Sequence, residues 1–152
     1  MEKVFESYVA QHLRKALAET KWEISTQDKG YYLFDYPRQF ALRPDIVITR
    51  ENGTKIILDT KWKSLMNKAR INYGISQADM YQMYAYAKKY HTSEIWLLYP
   101  LNKEMRGHDE IFFSSVDGVV VKLFFVDVAN IEKSLERLIE KICERMLKNK
   151  KG

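Results

Sequence analysis

The sequence predicts a single α/β domain in which a central mixed sheet carries helices on both faces. Three observations lead there. The chain has 152 residues, 46% of them hydrophobic, with only 6 Gly and 3 Pro, the make-up of one folded globular domain. Its two ends and its middle carry apolar residues at helical spacing, and short apolar runs bounded by turn signals lie between them. The order is helix, three or four strands, helix, strand, further strands, helix.

Residues Glu2 to Thr20 contain good helix formers and neither Gly nor Pro, which predicts the first helix. Trp22 to Thr26 is a candidate strand, and Tyr31 to Phe34 follows as another after the turn signal Asp28-Lys29-Gly30. Arg43 to Arg50 and Thr54 to Trp62 read as two strands of a hairpin closed at Glu51-Asn52-Gly53. Lys63 to Tyr73 is polar and basic and reads as a loop; Ser76 to Tyr90 returns to helical spacing. Glu94 to Tyr99 is a short strand stopped by Pro100, Leu101 to Asp109 a loop, and Phe112-Phe113 with Val119 to Val128 the last strands, turning at Asp117-Gly118. The last helix runs from Asn130, its N-cap, to about Leu147, with Ile131, Leu135, Leu138, Ile139, Ile142 and Met146 in one stripe. Residues 1–148 therefore read as one domain and 149–152 as a basic tail.

Composition excludes several classes. No apolar run approaches the length of a membrane span, and Met1-Glu2-Lys3-Val4-Phe5-Glu6 lacks the apolar core of a signal peptide. One cysteine, Cys143, rules out an internal disulfide framework or a cysteine-rich zinc module, and the expected location is cytoplasmic. The 25 Lys+Arg against 20 Asp+Glu leave +5, concentrated toward Arg145, Lys148, Lys150 and Lys151, a solvated helix end or a phosphate contact. His12, His91 and His108 show no ligand spacing, and no phosphate-cradling glycine loop, nucleophile elbow or zinc signature occurs.

The chemistry concentrates in Arg43-Pro44-Asp45-Ile46-Val47-Ile48 and Ile56-Ile57-Leu58-Asp59-Thr60-Lys61, where two carboxylates and a lysine stand at strand ends among apolar residues. Asp59 and Lys61 are two apart and share a sheet face. A two-residue Asn52-Gly53 turn would oppose Asp45 to Thr60. A three-residue loop with Gly53 left-handed opposes Asp45 to Asp59 and Arg43 to Lys61, and this is the expected register, because the two carboxylates then converge on one cation. Paired oxygen ligands suit magnesium, with manganese substituting, and the Thr60 carbonyl offers a further oxygen. Lys61 would act as electrostatic stabiliser or assist deprotonation; the competing reading is a buried Asp–Lys salt bridge.

Glu6 falls on the helical wheel amid Val9, Ala10, Leu13 and Leu17, so the first helix is expected to bury an acid within its apolar face, to bond a metal-bound water or pair with a sheet cation. Gln77 and Tyr81, four apart at the start of the second helix, follow the basic segment Lys63, Lys68 and Arg70; they would line a nucleic-acid channel or brace the metal ligands. Tyr84 and Tyr86 read as core.

Pro44-Asp45, a short hairpin and Asp59-Thr60-Lys61 resemble the PD-(D/E)XK nuclease motif, and Glu6, Gln77 and Tyr81 are similar to the flanking elements of its RecB-like branch. The segments Met1–Val9, Leu42–Val47, Ile57–Lys63, Asp79–Tyr86 and Leu97–Pro100 together resemble the nuclease part of the McrC family, the cleavage subunits of McrBC modification-dependent restriction systems. The resemblance implies a restriction-endonuclease-like fold and magnesium-dependent cleavage of double-stranded DNA beside a McrB-type AAA+ GTPase motor, which in that family recognises the modified cytosine. It makes Asp45 and Asp59 metal ligands, Lys61 catalytic, Glu6 an auxiliary acid, and Gln77 and Tyr81 supporting residues. Two departures stand out: Asp59 replaces the Glu of many superfamily members, and the chain begins where the nuclease part should, as an excised or stand-alone domain. Cutting both strands would call for two sites, and hence a dimer in the full assembly. The competing functions are a RecB-like exonuclease or repair nuclease, and a catalytically silent DNA-binding or assembly module.

Overall fold

The computed structural model describes residues 1–108 and 110–151, and side chains as far as Cys143. Helix α1 (Glu2–Ala16) leads into β1 (Glu23–Thr26), a separate hairpin of β2 (Tyr31–Asp35) and β3 (Arg38–Leu42), then β4 (Ile46–Thr49) and β5 (Lys55–Thr60). After a 3-10 segment at Ala69–Gly74 come α2 (Gln77–Lys89), β6 (Glu94–Pro100), β7 (Phe112–Ser114), β8 (Val120–Val126) and α3 (Ile131–Lys151). Six strands form one sheet in the order β1-β4-β5-β6-β8-β7, with β5, β6 and β8 parallel and the remaining neighbours antiparallel.

Alternation along the strands sends side chains to two cores, which is why a mixed sheet with helices on both sides satisfies this sequence. Ile46, Ile48, Ile56, Leu58, Trp96 and Leu98 face α1 and α3, whose Phe5, Val9, Leu13, Leu135, Leu138 and Ile142 close that layer. Val47, Ile57, Ile95, Leu97, Leu123 and Phe125 face α2, which contributes Met83, Tyr86 and Ala87. The expected fold class is the observed one. Among the described residues, no helix is long and apolar enough to cross a membrane.

Several boundaries differ from expectation for identifiable reasons. Helix α1 stops at Ala16 because the Thr20 hydroxyl takes the Leu17 carbonyl (2.7 Å), ending the helical ladder before Thr20. Strand β3 escapes the periodicity reading because Arg38-Gln39-Phe40-Ala41-Leu42 is exposed on most of its length and held by pairing to β2 alone. Strand β4 begins at Ile46, later than Arg43: Pro44 has no N–H to give, and the Asp45 N–H turns aside to a carboxylate. The stripe of α3 is as expected through Ile142, while the side chains of Met146, Arg145, Lys148, Lys150 and Lys151 lie outside those described.

The loop between β4 and β5 sets the register on which the site depends. Arg50 N–H bonds the Thr54 carbonyl and Gly53 N–H the Arg50 carbonyl, both at 2.9 Å, so Glu51, Asn52 and Gly53 form a three-residue loop. Gly53 has φ +86°, the left-handed conformation that glycine adopts without a Cβ clash. The ladder runs Thr49↔Lys55, Ile48↔Ile56, Val47↔Ile57 and Ile46↔Leu58, which brings Asp45 opposite Asp59 and excludes Thr60 as its partner. The ladder ends at Ile46, so the expected Arg43–Lys61 pair does not form.

Candidate functional site

At the end of β5, Asp59 is 2% exposed and Thr60 equally buried, beside the half-buried Asp45 that leads into β4. Asp45 N–H donates to Asp59 Oδ1 at 3.2 Å, while the Thr60 N–H and hydroxyl both donate to Asp45 Oδ2 at 2.8 Å. Each carboxylate is thus oriented by the backbone of the strand that carries the other. Lys61 Nζ lies 2.8 Å from Asp59 Oδ2, on the α2 side of the sheet, as the two-residue spacing requires.

Burial pushes the Asp59 carboxyl up to about 7, with Asp45 as the second cause, and together they outweigh the lowering by Lys61. Burial lowers the Lys61 ammonium, but Asp59, with Asp79 and Asp45 behind it, outweighs that and its pKa rises. Carboxylates therefore outnumber cations at this point: Asp45, Asp59 and Asp79 face one lysine, whose Nζ also lies 3.7 Å from Asp79 Oδ1. Such a surplus of half-desolvated negative charge is the electrostatic setting of a cation site.

Glu6 is only half-buried, a correction to the expected position within the apolar face: Phe5, Val9, Ala10 and Leu13 take that face and Glu6 stands on its flank. It still reaches the site. Gln27 Nε2 donates to Glu6 Oε1 at 2.5 Å and to Asp45 Oδ1 at 3.3 Å, so one amide ties the helix acid to the strand acid. Desolvation, and next the charge of Asp45, raises the Glu6 pKa.

The helical amide and phenol, expected to line a nucleic-acid channel or brace the metal ligands, bond to each other at the start of α2. Gln77 donates to the Tyr81 hydroxyl at 2.6 Å, and both are exposed, Tyr81 by 66%; among the described residues neither hydrogen-bonds the carboxylates or Lys61. The same amide–phenol spacing recurs one and a half turns later as Gln82 and Tyr86, and this copy faces the site. Gln82 Oε1 accepts from Lys61 Nζ at 3.1 Å. Tyr86 is buried, as expected, and burial, then the charges of Asp59 and Asp45, raise its pKa. Tyr84, expected in the core, is instead 41% exposed with its hydroxyl on Asp117. Gln27, Asp79 and Gln82 are the residues the sequence reading missed; the repeated four-residue spacing was a signal for Gln82.

Tyr99 adds a buried hydroxyl with no hydrogen-bond partner among the described residues beneath the site, its pKa raised by burial and then by Asp79 and Asp59. Lys63, Lys68 and Arg70 are exposed on the segment leaving Lys61, with no side-chain partner among the described residues. Among those residues no three His, Cys, Asp or Glu groups stand together in metal-holding geometry, so a cation here would rest on two carboxylates, a backbone oxygen and water.

A family model described as McrBC 5-methylcytosine restriction system component matches residues 1–100, the stretch that contains every side chain of this site. No curated protein matches the sequence. Among solved structures, a chain of the half-complex from a tetradecameric assembly of Thermococcus gammatolerans McrB AAA+ hexamers with bound McrC superposes with a TM-score of 0.71. The identity is 19%, a likeness of fold, over 93% of this chain and 33% of that one. The chain thus spans about a third of the length of the protein it matches.

Proposed function

The chain belongs to the McrBC 5-methylcytosine restriction system component family, and from that premise we propose that it is the McrC-type nuclease domain, a magnesium-dependent DNA endonuclease of PD-(D/E)XK type. The observation that carries this reading is the register of β4 and β5, which sets Asp45 against Asp59 with Lys61 bonded to the second of them. A structural salt bridge needs one acid; the second, held by Thr60 and cross-bonded to the first, raises the cost of ionising Asp59 and is accounted for by a bound cation.

Asp45, Asp59 and the Thr60 carbonyl would hold the ion. Bound there, magnesium supplies positive charge that polarises a phosphodiester and offsets the charge developing during displacement. Lys61, held beside Asp59, would present its ammonium to a non-bridging phosphate oxygen. Gln82 and Asp79 keep the lysine aimed across the sheet end. Glu6, tied through Gln27 to Asp45, holds the outer wall and orients water. An AAA+ motor of the McrB kind, such as the one named in the Thermococcus assembly, would deliver DNA to this domain.

A crystal soaked in manganese tests the reading directly. An anomalous peak roughly 2.0–2.3 Å from oxygens of both Asp45 and Asp59 is the expected result; no peak, with Asp59 still locked on Lys61, would leave a silent assembly module. Gln82→Ala is expected to lower cleavage by about 10–100-fold, the scale for a group that orients a reacting residue. Gln77→Ala should leave cleavage unchanged, and equal losses from both would return Gln77 to the site.

A further inference from the structure

The β2–β3 hairpin stands outside the main sheet and joins two residues of the site, since Tyr31 follows Gln27 after a short turn and Leu42 leads through Arg43 and Pro44 to Asp45. Its base is packed in the core, with the Tyr31 ring 4.2 Å from that of Tyr90 and Leu42 buried, and near the turn Lys89 pairs with Asp35 at 3.0 Å. The aromatic rings beside the turn are bare. Phe34 is 57% exposed, Phe40 69% and Tyr36 97%, a density of bare aromatic surface that isolated domains rarely carry. Phe40 also has φ +60°, uncommon for a bulky side chain, and its ring stands edge-on to Phe34 at 6.0 Å.

Charge decides which partner fits. Lys29 and Arg43 are exposed and have no acidic partner among the described residues, and Arg38 stacks over Tyr32 at 5.3 Å. The nearby acids are engaged, Asp35 with Lys89 and Asp28 with the Tyr90 hydroxyl. Cations alternating with free aromatic rings, at the edge of a site read as cutting phosphodiesters, match a nucleic acid better than a protein surface. We infer that this hairpin is a wedge that engages duplex DNA beside the cleavage site, its cations on phosphates and its aromatic tip stacked at an opened base step. The inference rests on the nuclease reading and extends it to how the substrate is gripped.

The test uses the full chain, calcium in place of magnesium, a short fluorescein-labelled duplex read by anisotropy, and 2-aminopurine in the duplex to report unstacking. Wild type should bind with a rise in 2-aminopurine fluorescence. Phe34→Ala with Phe40→Asn, the latter suited to left-handed backbone, should weaken binding about tenfold or more, the scale of one lost stack, and remove the fluorescence rise. If that pair of changes disturbs folding, Tyr36→Ala at the most exposed position carries the same expectation. Undiminished DNA binding, with self-association or motor binding lost instead, would overturn the wedge and assign the tip to a protein partner. Manganese binding measured on the same sample separates the two readings. Wild type that takes manganese but leaves the duplex unbound or fully stacked overturns the wedge alone; wild type that takes none overturns the nuclease reading, and anisotropy still decides the wedge.

Discussion

Asp59→Asn is expected to abolish metal-dependent cleavage, by on the order of a thousandfold or more, while raising the melting temperature of the metal-free protein at pH 8. The two effects have one cause. Asp59 is buried against a second carboxylate, and its folded pKa, pushed up to about 7, exceeds that of an unfolded aspartate. A group raised in this way stabilises fully below the unfolded value, and the contribution is lost as pH climbs through the folded one. Between about pH 4 and pH 7 the unfolded chain has released a proton that the folded chain retains, so stability falls by up to about 1.4 kcal/mol per pH unit. Asparagine removes that slope, and on the nuclease reading magnesium would remove it differently, by neutralising the ionised pair. Differential scanning fluorimetry across pH 4–9 should show a declining metal-free wild type, a flatter Asp59→Asn, and a magnesium-induced rise in wild type that grows toward pH 8. A metal-free wild type with no decline would mean that Asp59 is ionised at no cost and that Asp45 exerts no repulsion on it.

The parts of this site that were legible in the sequence are those fixed by local geometry. Asp59 and Lys61 had to share a face because strand side chains alternate, and Asp45 joined them once Gly53 set a three-residue loop. The hydrophobic pattern could not have chosen that register, because β4 and β5 are apolar on both faces. What stayed hidden depends on tertiary placement. Glu6 belongs to the site through Gln27, a residue past the end of β1 with φ +52°, and no spacing rule connects positions 6, 27 and 45. In α2 two amide–phenol pairs were available, and the nearness of Gln77 to the helix start was a weaker guide than the rotation that turns Gln82 toward Lys61. The β2–β3 hairpin was half visible because, of its described residues, Tyr31 and Leu42 are the ones that join the core, leaving most of β3 without the burial pattern that marks a strand.

Lys61→Met is expected to lower cleavage by roughly 10²–10⁴-fold and, unlike Asp59→Asn, to lower the stability of the metal-free protein at pH 8. Methionine keeps the length and apolar stem of the side chain, so packing beside Asp59 is preserved while the ammonium is removed. Asp59 then has Asp45 as a neighbour and no cation, which raises its pKa further and extends the declining limb of stability above pH 7. The cost at pH 8 should be roughly 1–3 kcal/mol, below the ~3–5 kcal/mol of a broken buried pair, because Asp59 can take up a proton and because Lys61 keeps some solvent contact in wild type. Near pH 4, where Asp59 is protonated with or without the lysine, the two proteins should converge in stability. Denaturant titrations at both pH values measure this, and the double change Asp59→Asn with Lys61→Met supplies the control. If the lysine acts on stability through Asp59, its loss in the Asn background should cost little and show no pH dependence. A constant penalty at every pH, present also in that background, would assign Lys61 to packing and remove the electrostatic link between the two residues on which the nuclease reading depends.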